Sequence, residues 1–168
     1  REKVRVGQEG DTLVLESIGR VQDREITVSY PKKTEFEEAS VDVVAGTVNL
    51  DDNFYAKKLE VSVAAGEFTN DSTITAEKAE LTVGTGNIDL ENLKVQNLEA
   101  DCGIGNIDLG IDGKEKDYDY EISCAAGAID IGDSSFSGLG HEKKISNPGS
   151  SGKMTFDCGV GNITVDFE

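Results

Sequence analysis

Tryptophan is absent from this 168-residue chain, which also has only one histidine, one methionine and three cysteines. The largest aromatic platform for stacking on a ligand is therefore missing. The cysteines show no CxxC pair and no Cys/His spacing typical of a zinc site. The chain also contains no GxSxG, Walker, HExxH or GxGxxG motif, so we predict a protein that is not an enzyme.

Positive charge and long apolar runs are scarce as well. The chain has 16 lysines and arginines against 33 aspartates and glutamates, which gives a formal net charge of −17. Without a basic patch or aromatic stacking residues, nucleic-acid binding is not expected. No apolar run is long enough to cross a bilayer and no signal peptide is visible. Because the sequence opens on Arg1 rather than methionine, membrane attachment is expected only through a segment upstream of it.

A glycine-centred block that returns six times is the main feature that is present. The copies, numbered in chain order, read VDVVAGTVNL, VSVAAGEFTN, LTVGTGNIDL, ADCGIGNIDL, ISCAAGAIDI and FDCGVGNITV. Their glycines are Gly46, Gly66, Gly86, Gly105, Gly127 and Gly161, at spacings of 20, 20, 19, 22 and 34 residues. A period near 20 residues indicates stacked supersecondary units.

Apolar and polar residues alternate on both sides of each glycine. The third and fifth positions before it and the second after it are apolar in all six copies, whereas the third position after it is polar. This alternation predicts two short strands with one buried face, joined at a glycine corner. We therefore predict an all-β, single-stranded parallel β-solenoid, right-handed, in which about six coils of about 20 residues pair in succession. A β-sandwich is the competing architecture, but it gives no reason for one column to stay apolar in every copy.

The ends of the chain depart from the repeat. Residues 1–40 are predicted to form an N-terminal β cap, with strands near Val4–Val6, Thr12–Glu16 and Glu25–Tyr30. Residues 41–168 are predicted to form the solenoid, in one structural domain overall, with a surface loop inserted at about 132–153. The terminal strand at Val165 has no coil after it, so we expect either that its charges protect this edge or that another molecule covers it.

Three cysteines share one inward column. Cys102, Cys124 and Cys158 stand where valine stands in copies one to three. A disulfide or a metal site is one interpretation, and small buried hydrophobes are the other. Because their number is odd and parallel side chains make the S–S torsion awkward, we expect reduced core thiols.

Polar columns follow the glycines. Asp89, Asp108 and Asp130 share the third position after the glycine, and we expect them in three adjacent coils. Stacked carboxylates repel, so calcium is a possible ligand of this column, although no EF-hand or nonapeptide calcium motif is present and solvated charges are the alternative. Otherwise no cofactor and no catalytic residue is predicted. Asparagines directly after the glycine are predicted to be turn formers, with Asn106 and Asn162 kept apart by the copy that carries Ala128.

The blocks at Gly86–Leu90 and Gly105–Leu109, with the strand-then-proline run Glu25–Pro31, resemble a bacterial family of adhesin-like domains. This family is a domain of unknown function with β-solenoid structure, and the resemblance covers residues 11–168. It implies an extracytoplasmic protein, at the cell surface or anchored to a membrane, and it supplies no catalytic residues.

From these features we expect a non-enzymatic, cell-surface or envelope-associated, adhesin-like β-solenoid. It would act as a monomeric binding or scaffolding module for an unknown surface ligand, protein or glycan. Two alternatives are kept. One is a carbohydrate-active enzyme of the β-helix type, on fold analogy alone. The other is a structural protein that assembles end to end through its C-terminal strand.

Overall fold

A computed structural model describes residues 3–9, 12–18 and 26–168 of the chain. The chain divides into two compact units, residues 1–32 and 33–168. In the first unit, β1 (Lys3–Glu9) and β2 (Thr12–Ile18) pair antiparallel, which confirms two of the three strands predicted there. The third is wrong over residues 26–30, which form no strand, and Glu25 lies outside the described residues.

The second unit contains twelve strands in one sheet that is not closed. They are β3 (Glu35–Val43), β4 (Thr47–Leu50), β5 (Phe54–Val63), β6 (Glu67–Val83), β7 (Asn87–Cys102), β8 (Asn106–Ile111), β9 (Tyr118–Cys124), β10 (Ala128–Ile131), β11 (Ser134–Ser137), β12 (His141–Ile145), β13 (Gly152–Cys158) and β14 (Asn162–Phe167). The described helix content is one 3-10 turn, Glu115–Asp117. The all-β fold class is therefore confirmed. No helix of the described residues has the length and apolarity needed to cross a membrane.

Copies one to four pair in parallel and in chain order. The strands before the glycine pair as β3, β5, β6 and β7, in a register that aligns Val43, Val63, Val83 and Cys102. The glycine corners stack equally closely, because a Cβ added to Gly86 would lie 2.2 Å from the carbonyl oxygen of Gly66. Only glycine leaves room for the neighbouring backbone at this point.

Copy six lies between copies four and five. Strand β13 pairs in parallel with β7 on one side and with β9 on the other, and β14 pairs with β8 and β10 in the same way. The order of the copies along the sheet is therefore one, two, three, four, six, five. The expected pairing of successive coils is wrong for the last two copies. The expected free edge at the C-terminal strand is also wrong, since β14 has a partner on both sides.

The stretch predicted as a surface loop at 132–153 contains two strands at the end of the sheet, β11 and β12, whereas residues 146–151 form no strand. Strand β11 pairs antiparallel with β10, and β12 pairs antiparallel with β9. Phe136 on β11 is 6% exposed, and the Lys143 ammonium lies 4.9 Å from the centre of its ring. Charged side chains on a terminal strand discourage further pairing. This segment therefore covers the copy-five end of the core.

The core follows the inward columns. Leu59, Val61, Phe68, Ile88 and Phe156 are each fully buried, whereas the equivalent residues of copy one are half-buried. Strand β3 begins at Glu35 and pairs with β5, so the predicted boundary at residue 40 lies inside a strand of the sheet. The boundary between the two compact units lies earlier, after Lys32.

Candidate functional site

The outward face of the strands that follow the glycine carries the polar column predicted from the sequence. Parallel pairing aligns Asp89 with Asp108, so these two carboxylates do lie on neighbouring strands. The next member of the column is Thr164 of copy six, which separates Asp108 from Asp130. The expectation of three adjacent aspartates is therefore wrong, because it assumed that copy five follows copy four in space.

Because copy six lies between copies four and five, the prediction that Asn106 and Asn162 lie apart is also wrong. Asn162 pairs with Asn106, and the amide Nδ2 of Asn162 donates to Oδ1 of Asn106 at 3.1 Å. Asn106 in turn donates to Oδ1 of Asn87 at 3.1 Å. These three side chains form a hydrogen-bonded ladder beside the aspartate column. They are therefore adjacent, not separated by the copy that carries Ala128.

An open groove with a volume of about 600 Å³ runs along this face. Six carboxylates line it, and we call it the acidic groove: Asp71, Asp89, Glu91, Asp108, Asp166 and Glu168. The other lining residues are asparagine, serine, threonine, leucine and glycine, so no basic residue of the described chain lines it. The groove offers hydrogen-bond acceptors and negative charge. Chemically it suits a cationic ligand or one rich in donor groups.

Residues outside the predicted column contribute to the acidic groove. Asp71, Glu91 and Asp166 occupy the fifth position after the glycine, two residues beyond the predicted column and hence on the same face. Copy four has Gly110 at this position, where an added Cβ would lie 2.1 Å from the carbonyl oxygen of Glu91. Extending the column comparison by two positions would have found these residues.

Two buried amide oxygens near this face have no hydrogen-bond partner. They belong to Asn70, which is 1% exposed and occupies the inward column, and to Asn92, which lines the acidic groove. Within the part of the chain that the structure describes, no three Asp, Glu, His or Cys side chains are grouped so as to hold a metal ion. The calcium interpretation of Asp89, Asp108 and Asp130 therefore gains no support from their geometry.

The three cysteines are neighbours on the inward side of the sheet. Cys158 pairs with Cys102 on one side and with Cys124 on the other, and all three are buried free thiols. The Cys158 thiol contacts the carbonyl oxygen of Gly161 at 2.9 Å. Burial, followed by the neighbouring Cys102 and Cys124, raises the pKa of Cys158 to about 12. Such thiols stay protonated and are poor nucleophiles, which agrees with the prediction of core thiols.

The single histidine lies on a strand at the end of the sheet. His141 begins β12, opposite Cys124, and its ring lies 5.9 Å from that of Phe136. Its Nε2 atom is buried without a hydrogen-bond partner. His141 is therefore part of the cover at the end of the core rather than of the acidic groove.

The model of a known protein family matches most of the chain. The family model described as Toastrack DUF4097, a domain of unknown function, matches residues 3–140. The chain belongs to this family. The word Toastrack in the name of this family suggests a β-solenoid. Neither the curated proteins nor the solved structures contain a match to this chain. The family carries no assigned activity, and no comparison supports an adhesin.

The residues matched by the Toastrack model do not include copy six. It covers copies one to five with strands β1 to β11 and ends at residue 140, ahead of β12, β13 and β14. The acidic groove draws Asp71, Asp89, Glu91 and Asp108 from the matched residues, and Asp166 and Glu168 from copy six. The candidate site is thus shared between the matched region and the inserted copy.

Proposed function

We propose that the chain is a right-handed parallel β-solenoid of six coils that serves as a rigid, non-enzymatic binding or scaffolding module at the cell surface or envelope. The acidic groove is its ligand face. The observation that carries this proposal is that the two central groove carboxylates, Asp89 and Asp108, lie on strands paired on both sides in a fixed register. Side chains held in this way present a preorganised surface, which lowers the entropic cost of binding.

The ligand class follows from the charge and shape of the acidic groove. A net charge of −17 attracts cationic partners over long range, and a groove lined by six carboxylates and by no basic residue of the described chain favours ammonium or guanidinium groups. An extended polymer with amino groups, either a glycan or a basic protein segment, fits an open groove that runs across several copies.

A matched pair of variants tests this proposal. The groove variant replaces Asp71, Asp89, Asp108 and Asp166 by asparagine. The control replaces Asp42, Asp101 and Asp157 by asparagine and Glu99 by glutamine, all on strands that precede the glycine corners. In each variant four carboxylates are neutralised, so the net charge changes from −17 to −13.

Binding to chitosan oligosaccharides, to polylysine and to a neutral glucan is then measured by calorimetry at two salt concentrations. The proposal predicts binding to a cationic polymer that the groove variant loses and the control largely keeps. Equal losses in both variants would reduce the effect to bulk charge and contradict a specific face. Release of products from any polysaccharide would instead favour the carbohydrate-active alternative.

A further inference from the structure

We propose that copy six, residues 152–167, is a donor segment that can be exchanged between chains, and that the partner fitted by the gap between copies four and five is a second copy of this chain. This inference does not depend on the proposed function. It rests on how copy six is held, on the shape of the gap it fills and on the hinge that leads to it.

Copy six has partners on both sides along almost all of its length. Residues Gly152–Cys158 pair with β9, Lys153–Cys158 pair with β7, and β14 pairs with β8 and β10. Its inward side chains, Met154, Phe156, Cys158, Ile163 and Val165, are each 0% exposed. Withdrawal of copy six would therefore leave two complete strand edges unpaired and open the core between copies four and five. Such a gap needs a strand to fill it.

The contacts that hold copy six in the gap are made by the repeat itself and not by the connection that leads to copy six. Gly161 stacks on Gly105, and Gly127 stacks on Gly161, with the same close approach of about 2.0 Å between an imagined Cβ and the carbonyl oxygen below. The cysteine column keeps its register across Cys102, Cys158 and Cys124. Every one of these contacts joins copy six to another copy. An identical copy six from a second chain would make the same contacts.

The hinge into copy six is a short turn at residues 146–151. The Asp119 carboxylate accepts hydrogen bonds from the Asn147 backbone N–H and the Ser150 hydroxyl, both at 2.8 Å, and the Ser151 N–H donates to the Asp117 carbonyl at 2.9 Å. If these bonds open, six residues can extend to about 20 Å. That length is enough to carry copy six into a neighbouring chain. Reciprocal exchange then closes a two-fold dimer in which both edges of each gap are paired.

The connection from copy four to copy five shows that the gap is built into the chain. The link that includes the Glu115–Asp117 turn must pass from β8 to β9 across two strand spacings, because β13 lies between β7 and β9. In the folded chain copy five thus lies two strand spacings from copy four, with copy six between them. During folding this position is open to copy six of either chain.

The hinge gives the first experiment on the full chain. Deleting Pro148 and Gly149 removes the turn that returns copy six to its own gap, and shortened hinges favour exchange. We expect this variant to be a dimer by light scattering, and the unaltered chain to form a growing dimer fraction when refolded at rising concentration. Deletion of Gly138 and Leu139, in the turn between β11 and β12, is the matched control and should stay monomeric.

The cysteine column identifies the exchanged segment. A tagged Cys158→Val chain, which keeps Cys102 and Cys124, is refolded together with a differently tagged Cys102→Val, Cys124→Val chain, which keeps Cys158. Oxidation should then link the two tags through Cys158 in the dimer fraction, and not when the chains are folded separately and mixed. A monomer at every refolding concentration would overturn the proposal, as would a dimer without this link under oxidation that links Cys158 in the monomer of the unaltered chain. If the shortened hinge does not fold, the concentration series and the link decide alone.

Discussion

Copies one to four and copies five and six contain the same glycine block but are assembled differently. Between the first four, the glycines are 19 or 20 residues apart and each copy pairs with the next one along the chain. For the last two the spacings are 22 and 34 residues, and the sixth copy lies between the fourth and the fifth. The block therefore specifies the shape of a copy, while the length of the connection specifies where the copy lies in the stack.

Substituting a corner glycine should destabilise the protein, and the copies that lose their structure should depend on which region carries the substitution. A Cβ at Gly86 would lie 2.2 Å from the Gly66 carbonyl oxygen, and a Cβ at Gly161 would lie 2.0 Å from that of Gly105. Neither backbone can move without losing its pairing, so we expect each alanine variant to lose about 3 kcal/mol or more of unfolding free energy. Denaturant unfolding measures this loss.

Hydrogen exchange then separates the two glycine variants. Gly86→Ala should expose copies one to four together, whereas Gly161→Ala should expose copies five and six and leave strands β5 and β6 protected. The control is Gly7→Ala in the first unit, where nothing lies within 4 Å of the added Cβ. Equal loss of protection in all copies of the Gly161→Ala variant would contradict the separation of the two regions.

Acid should loosen the inserted copy before the ordered stack. Hydrogen bonds from Lys144 and then Lys153 lower the pKa of Glu121 from its usual 4.5 to about 2, and these lysines lie on β12 and β13. The hydrogen bond from the Asn147 N–H, followed by that from Ser150, lowers the pKa of Asp119. A lowered folded pKa adds stability above the unfolded value that is lost as pH falls through the folded value. For Glu121 this window extends from about 4.5 to about 2.

A pH titration followed by NMR checks this order. The amide signals of Asn147 and Ser150 should change as the pH falls below 3.8, the usual pKa of the Asp119 carboxyl that they donate to, while those of Val63 and Val83 persist to lower pH. In a Glu121→Gln, Asp119→Asn variant the hinge signals should already be altered at neutral pH and respond little to acid. Simultaneous loss of all signals would show that the two regions are not separable in this way.

The smallest expected effect concerns one residue of the ordered stack. Asn70 occupies an inward position between Leu50 and Leu90, and its Oδ1 atom is buried without a partner. Its Nδ2 atom donates to the Leu50 carbonyl at 3.2 Å. Asn70→Leu removes the unpaired acceptor at the cost of this one bond, so we expect a gain of about 1 kcal/mol. Leu90→Asn, the reverse change one copy along, should cost about 2 kcal/mol or more. Thermal unfolding compares the two, and a loss on Asn70→Leu would show that the amide is needed.

Local features of the fold could be predicted from the sequence. The alternation around each glycine gave the strands before and after the corner, the inward cysteines and the outward aspartates, because period two and the need for a small corner residue are properties of neighbouring residues. The family resemblance agreed on a domain of unknown function, and the comparisons left adhesion untested.

The order of the copies could not be predicted in the same way. Every copy fits on every other, so only the connections distinguish order four-five-six from order four-six-five, and the sequence predicts a surface loop for the long connection at about 132–153. The predicted order of the copies therefore also gave the wrong neighbours for Asp130 and Asn162. The acidic groove was only partly found, since Asp166 joins Asp89 and Asp108 through the inserted copy.

The position of Cys158 is the most direct test of the stack. The thiols are expected to be reduced in the folded monomer, and forced oxidation followed by peptide mapping should link Cys158 to Cys102 or to Cys124, which lie on adjacent strands. Cys102 and Cys124 are separated by two strand spacings, about 9.6 Å, which exceeds the span of a disulfide of about 7 Å. A Cys158→Val chain should therefore form no disulfide. A Cys102–Cys124 link in that chain would contradict the insertion of copy six between copies four and five.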